Sequence, residues 1–258
     1  MSLSRLAMRI AAARALKGMT LAEDRVFDSA IDPIDQTIAE TRAPVLIVTT
    51  DDHEIDTLGR DLMHGHTRCE LVIEAAIASR VEVSGDVSLS IPHTDEGMEI
   101  VLDLIEHQVM AALTRERTAW SRVWMKLVPR IHKRSSRRGA SVEHGVRFAA
   151  RQIVLPCDLI EAPTGGAPVL SGSTWEDVLA VMAADEALSP IADLLRATIE
   201  GGPLADWRRA ANALGIHLAT AEAIGLGPIL DPVADPEALG EIRITGGPTE
   251  VVLSEAGI

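Results

Sequence analysis

Residues 68–81 read RCELVIEAAIASRV, and this stretch decides the fold class. Apolar and charged side chains alternate along it with a period of two, which is typical of a strand that is buried on one face. We therefore expect a sheet with one face toward a core. The inward set is Cys69, Leu71, Ile73, Ala75 and Ile77, and the outward set is Arg68, Glu70 and Glu74.

The preceding residues predict two more strands. PVLIVTT (44–50) is apolar throughout, as expected of a strand covered on both faces, and we pair it with 68–81. RVFDSAIDP (25–33) predicts a short strand that leaves through a turn at Asp32-Pro33. The polar segment between the two long strands, DDHEIDTLGRDLMHGH (51–66), is interpreted as a long loop.

Three helices are predicted around this sheet. LSRLAMRIAAARAL, near the N-terminus, is interpreted as the first helix of the fold and not as a targeting peptide, because its apolar residues share one face. Thr94 caps a second helix whose apolar stripe packs on the sheet. A shorter helix (118–130) stops near Pro129 and carries Trp120 and Trp124 as core or interface anchors. The stripe of the second helix is Met98, Val101, Ile105, Val109 and Ala112.

The next segment, 131–145, is interpreted as an exposed loop, and a long strand follows to about Ile160. Arg147 and Arg151 are assigned to the outer face of that strand, whereas Ile153, Leu155 and the odd-numbered residues beyond them are inward. This change of alternation predicts either a bulge near 150–152 or burial of both faces at the far end.

The Gly- and Pro-rich segment EAPTGGAPVLSGST (161–174) predicts a linker between two domains. Residues 1–160 form an α+β domain with a mixed, mainly antiparallel sheet flanked by helices. Residues 175–258 form an acidic, mostly helical accessory domain that closes with a hairpin at Gly246-Gly247.

Composition excludes several classes of function. The chain has a net charge of −14, 47% hydrophobic residues, 2% aromatic residues and no Tyr. This balance argues against binding a nucleic-acid backbone over a broad surface or stacking on single-stranded bases. No run approaches the ~20 apolar residues of a membrane span. Cys69 and Cys157 lack metal-site spacing and are interpreted as buried thiols of a protein in a reducing compartment.

The sequence contains few candidates for a metal site or a catalytic group. Asp51, Asp52, Glu54 and Asp56 follow a strand, with His64 nearby, and carboxylates at a strand end can hold a divalent metal. Their spacing matches no known metal-ligand motif, so a solvated polar segment is the favoured interpretation. No nucleophile motif or phosphate-binding loop is present. We therefore expect no enzyme, no catalytic residue, no metal and no cofactor.

A second segment, DWRRAANALGIHLATAEAIGLGP (206–228), has the outline of a helix-turn-helix. In DNA-binding proteins such a helix pair normally lies on a basic surface. This pair lies in the most acidic part of the chain. A helical packing unit is the favoured interpretation.

Positive charge is concentrated in residues 115–138, which hold nine Lys and Arg residues and the single acid Glu116. This basic stretch is a solvated surface, a contact for nucleic-acid phosphates, or a contact for an acidic surface of another copy. Among the binding interpretations, a chain with an acidic half and a basic strip favours self-association.

The order of these elements resembles the small tail terminator proteins of long-tailed bacteriophages. The matching pieces are LSRLAMRIAAARAL, RVFDS, APVLIVTTDDHE, CELVIEAAIA, MEIVLDLIEHQVMAAL and SRRGASVEHGVRFAARQIVLPCDLI. The resemblance covers roughly the first 160 residues and is one of pattern and order. The residues beyond 161 depart from the compact members of the family.

The resemblance implies a structural role in the virion. Such proteins form a ring, typically of six subunits, on the last ring of the tail tube. The ring stops tube polymerisation and joins the tail to the head, so the implied partners are other copies, the tail tube protein and a head-completion or neck protein. Genome DNA would pass through the ring, and no membrane is involved.

A closed ring needs two different complementary surfaces on each subunit. The basic candidates are Arg130, Lys133, Arg134, Arg137 and Arg138, and the acidic candidates are Asp51, Asp52, Glu54 and Asp56. Two alternatives stay open: a head–tail connector or stopper of the neck, and a metal-dependent hydrolase or nuclease that uses Asp51, Asp52, Asp56 and His64.

Overall fold

The computed structural model describes residues 2–29, 43–57, 59–62, 64–77, 81–83, 86–88, 95–143, 146–163, 165–201, 241–244 and 251–254. The chain divides into two compact units, Met1–Leu204 and Ala205–Ile258. The α+β class with a mixed, mainly antiparallel sheet is confirmed.

The helices and strands predicted for residues 1–160 occur in the predicted order, and four further strands occur among them. The described helices of the first unit are α1 (Leu3–Leu16), α2 (Asp95–Thr114), α3 (Ala119–Leu127), α4 (Thr174–Ala183) and α5 (Ser189–Ile199). Its described strands are β1 (Val26–Asp28), β2 (Val45–Thr57), β3 (Gly65–Ile77), β4 (Val81–Val83), β5 (Asp86–Ser88), β6 (Arg130–Ile131), β7 (Ser135–Glu143) and β8 (Val146–Leu159). The four strands that were not predicted are β4 to β7.

Six strands form the main sheet, in the order β1-β2-β3-β8, with β6 and β7 both on the far side of β8. The β1–β2 pair is parallel, and all the others are antiparallel. From Ala149 onward β8 is therefore an inner strand, with β3 on one side and β7 and then β6 on the other. Strands β4 and β5 form a separate two-stranded hairpin.

The predicted long loop at 51–66 is wrong. β2 continues to Thr57 and β3 begins at Gly65, so the two strands form a long hairpin arm. A β-bulge between Thr50 and His53 interrupts their register, after which Glu54 pairs with Arg68 and Asp56 with His66. Polar residues continue the strand here because cross-strand pairing, and not burial, holds the arm in extended form.

Helices α1, α2 and α3 bury one face of the sheet. The predicted inward set of β3 is confirmed, since Cys69, Leu71, Ile73, Ala75 and Ile77 all lie in the core. Met98, Ile105, Val109 and Ala112 of α2 are buried and Val101 is partly buried, as its stripe predicts. Trp124 of α3 is 2% exposed, and Trp120 packs against the core from its edge.

Helices α4 and α5 belong to this first unit, although the sequence places a domain boundary at 161–174. Trp175, Val178 and Met182 of α4 are buried in the common core. Lys126 of α3 contacts Asp177 at 2.5 Å, and Arg14 of α1 contacts Asp185 at 3.1 Å. The division between compact units therefore falls after α5, because α4 needs the core to bury its apolar face.

In the second unit, β9 (Glu241–Ile244) and β10 (Val251–Ser254) pair antiparallel, which confirms the closing hairpin. The helix pair expected at 206–228 lies outside the described residues, as do Asp32-Pro33, Thr94 and the hairpin turn at Gly246-Gly247. No described helix combines the length and the apolar character that crossing a membrane requires.

Candidate functional site

The basic candidates lie at one edge of the sheet. Arg130 is in β6, Lys133 and Arg134 follow it, and Arg137 and Arg138 are in β7. The prediction of a loop over 131–145 is therefore wrong for most of this segment. β7 forms because β8 offers it a continuous ladder from Val154 down to Val146. All five basic side chains are exposed along that edge.

Two of the five pair with acids on α2 in the same chain. The Arg138 guanidinium contacts Glu99 at 2.7 Å, and Arg134 lies 3.7 Å from Glu106. The Ser136 hydroxyl also donates a hydrogen bond to Glu106, at 2.6 Å. Much of the positive charge on this edge therefore neutralises the acidic side of α2.

Arg151 of β8 lies at the centre of the same network. Its guanidinium contacts Glu99 at 2.5 Å, Glu106 at 3.4 Å and also Asp103, and its side chain is 15% exposed. Burial alone would lower the pKa of Arg151, but the hydrogen bond to Asp103 and the nearby carboxylate charges outweigh it, so the pKa is raised. Arg151 thus fastens α2 to the sheet as a permanent cation.

The outward assignment of Arg151 is wrong. It pairs with Ala75 of β3, on the face that α2 covers, and the register of β8 runs from Ala149 to Leu159 with no bulge. A charged residue is stable on this face because three carboxylates of α2 contact it. The spacing of Glu99, Asp103 and Glu106 on one side of a helix is the sequence signal that indicates such a partner.

Lys133 and Arg137 remain available on this edge. Within the described part of the chain, neither makes an ion pair, and neither does Arg130. Arg137 pairs in register with Gln152, which in turn bonds to Glu74 at 2.9 Å on the face away from α2. Among the five basic candidates, these three cations are exposed and outside the ion pairs with α2.

The acidic candidates occupy the other edge. Asp51 and Asp52 lie in the β-bulge of β2, and Glu54 and Asp56 continue along the arm; all four are exposed. β1 pairs only with Leu46–Val48, so among the described residues no strand covers this outer half of β2. Acidic and basic groups therefore lie at opposite edges of one sheet.

Between the two edges, Asp158 of β8 is the centre of a small cluster of charged and histidine side chains. Its carboxylate lies 2.6 Å from His132 Nε2, 3.2 Å from His66 Nε2 and 3.9 Å from Arg68. The hydrogen bond with His132, together with the charges of His132, His66 and Arg130, lowers the pKa of Asp158. The sequence gives no local signal for this cluster, because its members come from β3, β8 and the residue after β6.

A cavity of about 140 Å³ opens beside this cluster. Its lining includes Asp52 and Glu54 from β2, Arg68 and Glu70 from β3, and His132. No group of three or more His, Cys, Asp or Glu residues within the described ranges is arranged to hold a metal ion. His64, a ligand of the alternative metal site, pairs instead with Asp61 at 2.9 Å.

The sheet thus carries acidic groups at one edge and basic groups at the other. A scan of the chain against protein-family models finds no match, and a search of the curated proteins finds none either.

Proposed function

We propose that this protein is a structural subunit of a ring at the head-proximal end of a bacteriophage tail. The ring ends polymerisation of the tail tube and joins the tail to the head. The observation that carries the proposal is the placement of opposite charges at opposite edges of one rigid sheet. A subunit that associates head to tail needs two such surfaces, and a closed ring uses both of them in every copy.

The basic surface consists of Arg130, Lys133 and Arg137, and the acidic surface of Asp51, Asp52 and Glu54. Arg134 and Arg138 of the predicted set contribute less, because Glu106 and Glu99 already neutralise them. Guanidinium groups suit this role because they pair with carboxylates through two parallel hydrogen bonds.

The order of elements supports the terminator role in particular. A first helix, a short strand, an apolar strand with an acidic continuation, an alternating strand, two helices and a long strand follow one another, and this order resembles that of the tail terminator proteins. In this role the partners are about six copies of the chain itself, the tail tube protein and a neck protein. Genome DNA passes through the lumen of the ring.

Self-association is tested by light scattering of the full chain at increasing protein concentration. We expect a discrete oligomer, visible as rings by electron microscopy. The double substitutions Lys133→Glu/Arg137→Glu and Asp52→Lys/Glu54→Lys should each shift the protein toward monomers. An equimolar mixture of the two variants should assemble again, because every contact then joins opposite charges.

Arg122→Glu/Arg196→Glu is the matched control. It makes the same change in net charge as Lys133→Glu/Arg137→Glu, but on α3 and α5 and not on the sheet edges, and should leave assembly intact. A protein that stays monomeric at every concentration contradicts the ring. Hydrolysis of a substrate by that monomer only with added Mg²⁺ or Mn²⁺ would favour the metal-dependent enzyme instead.

The terminator role itself is tested by adding the purified oligomer to polymerising tail tube protein. Tubes should become shorter as the ratio of ring to tube subunits rises. Binding to a neck protein without any effect on tube length would identify a connector or stopper instead.

A further inference from the structure

The two cysteines face each other across the central pair of strands. Cys69 of β3 and Cys157 of β8 are direct register partners. Opposed residues of antiparallel strands have Cα atoms about 4.5–5.5 Å apart, which lies within the roughly 4.4–6.8 Å that a disulfide spans. Both side chains belong to the core, on the face shared by the pairs Leu71–Leu155 and Ile73–Ile153.

Both thiols are free and protected in the folded protein. Cys69 is 2% exposed and Cys157 is 1% exposed. Burial raises the pKa of Cys69 to about 11 and the pKa of Cys157 to about 12. Because the thiolate is the reactive form, neither sulfur reacts at neutral pH until the strands open locally.

This end of β8 is held more weakly than the rest of the strand. β6 pairs with it only through Arg130–Asp158 and Ile131–Cys157. The His132 amide donates to the Pro156 carbonyl at 2.9 Å, but Pro156 has no N–H to return the bond. Both cysteines are among the residues that line the cavity of about 140 Å³, although their side chains belong to the core. Local opening at this point would therefore admit a small reagent to the two sulfurs together.

We propose that Cys69 and Cys157 form a reversible intramolecular disulfide by exchange with a small-molecule disulfide of the glutathione type. The thiolate of Cys69 attacks one sulfur of the reagent, breaks its S–S bond and releases one thiolate. The thiolate of Cys157 then attacks the Cys69 sulfur of the mixed disulfide and releases the second. Both protein sulfurs are oxidised, both reagent sulfurs are reduced, and the two protein protons end on the released thiols.

Cys69 is assigned the first attack because the positive charge of Arg5 favours its thiolate, against the effect of burial. Arg5 is held near the strand by its hydrogen bond to the Thr50 hydroxyl at 2.8 Å. Substitution Arg5→Gln should therefore slow the appearance of the mixed disulfide.

The test treats the folded full chain with oxidised glutathione, blocks the remaining thiols, and analyses the intact mass and the proteolytic peptides. We expect a chain that has lost two hydrogens and yields one linked peptide pair containing Cys69 and Cys157. Reduction should restore the original mass, and circular dichroism should show the same fold throughout.

Cys69→Ala and Cys157→Ala are the matched controls, and each should stop at a single mixed disulfide or remain reduced. The proposal fails if wild-type thiols stay free while the fold is intact and link only after urea unfolds the chain. It also fails if the disulfide forms between two chains.

Discussion

β8 carries a nearly buried charge toward each end, and the two charges are held in different ways. Arg151, with 15% of its side chain exposed, meets three carboxylates that all come from α2. Asp158, with 12% exposed, contacts His66 and Arg68 of β3 and His132, the residue after β6. The first cluster holds a helix on the sheet, whereas the second connects β8 to β3 and to the residue after β6.

The comparison separates structural charge from charge that is free to bind. In the sequence the basic stretch looks like one surface. In the structure its Arg134 and Arg138 side chains pair with acids of α2. The cations that face away from α2 are left for a partner. Four changes test this division, and we describe them from the largest expected effect to the smallest.

Arg151→Met should lower the free energy of unfolding by about 2–4 kcal/mol, because it leaves three carboxylates together without their shared cation. Urea unfolding measures this loss. The control is Arg138→Met, whose guanidinium also contacts Glu99 but whose side chain is 61% exposed. It should cost no more than about 1 kcal/mol, and equal losses would contradict a special role for Arg151.

Asp158→Asn should lower the free energy of unfolding by about 1–2 kcal/mol at neutral pH. The amide keeps the size of the side chain but removes the charge that both histidines and Arg68 approach. Asp56→Asn is the matched control, since Asp56 is 68% exposed and lies 3.7 Å from Arg68. A larger loss from Asp56→Asn would mean that Arg68 stabilises the fold mainly through Asp56 and not through Asp158.

The pH dependence should separate wild type from Asp158→Asn. The pKa of Asp158 is lowered in the folded state, so its ionised form adds stability above the unfolded pKa of about 4. That contribution should shrink as pH falls below about 4, and the two proteins should then converge. Urea unfolding at a series of pH values measures the difference, and a constant difference down to strongly acid pH would refute the assignment.

Lys133→Ala and Arg137→Ala should each change the free energy of unfolding by less than about 0.5 kcal/mol. Both should nevertheless weaken self-association, measured by sedimentation at several concentrations. Stability losses as large as that of Arg151→Met would mean that these two side chains are structural, and the proposed basic surface would lose its support.

The core of this fold is predictable from sequence because its pattern is local. The alternation in 68–81 and the stripe of α2 each require only that apolar side chains face the same way. The hairpin arm is not predictable in the same way. Residues 51–57 contain no apolar alternation, and they extend only because residues 65–69 lie beside them.

The candidate surfaces show a similar limit. The residue types of both surfaces are evident from the sequence, but their neutralisation by partners distant in the chain is not. Glu99 of α2 and Arg138 of β7 are distant in the sequence, and composition does not indicate that they form an ion pair. The alternation of the sequence places Arg151 outward beside Arg147, and only the opposing acids of α2 make its position on the core face favourable.

The long ladder of β8 also has a mechanical consequence. A pull applied between the two edges of the sheet stretches its hydrogen bonds across the strands. The inner seam joins β3 to β8 without interruption from Thr67–Leu159 to Ile77–Ala149, so the load on it is shared along its whole length. β6 is joined to β8 by two residue pairs, and β1 is joined to β2 by three. Under tension the sheet should fray at these short outer strands while its centre stays closed.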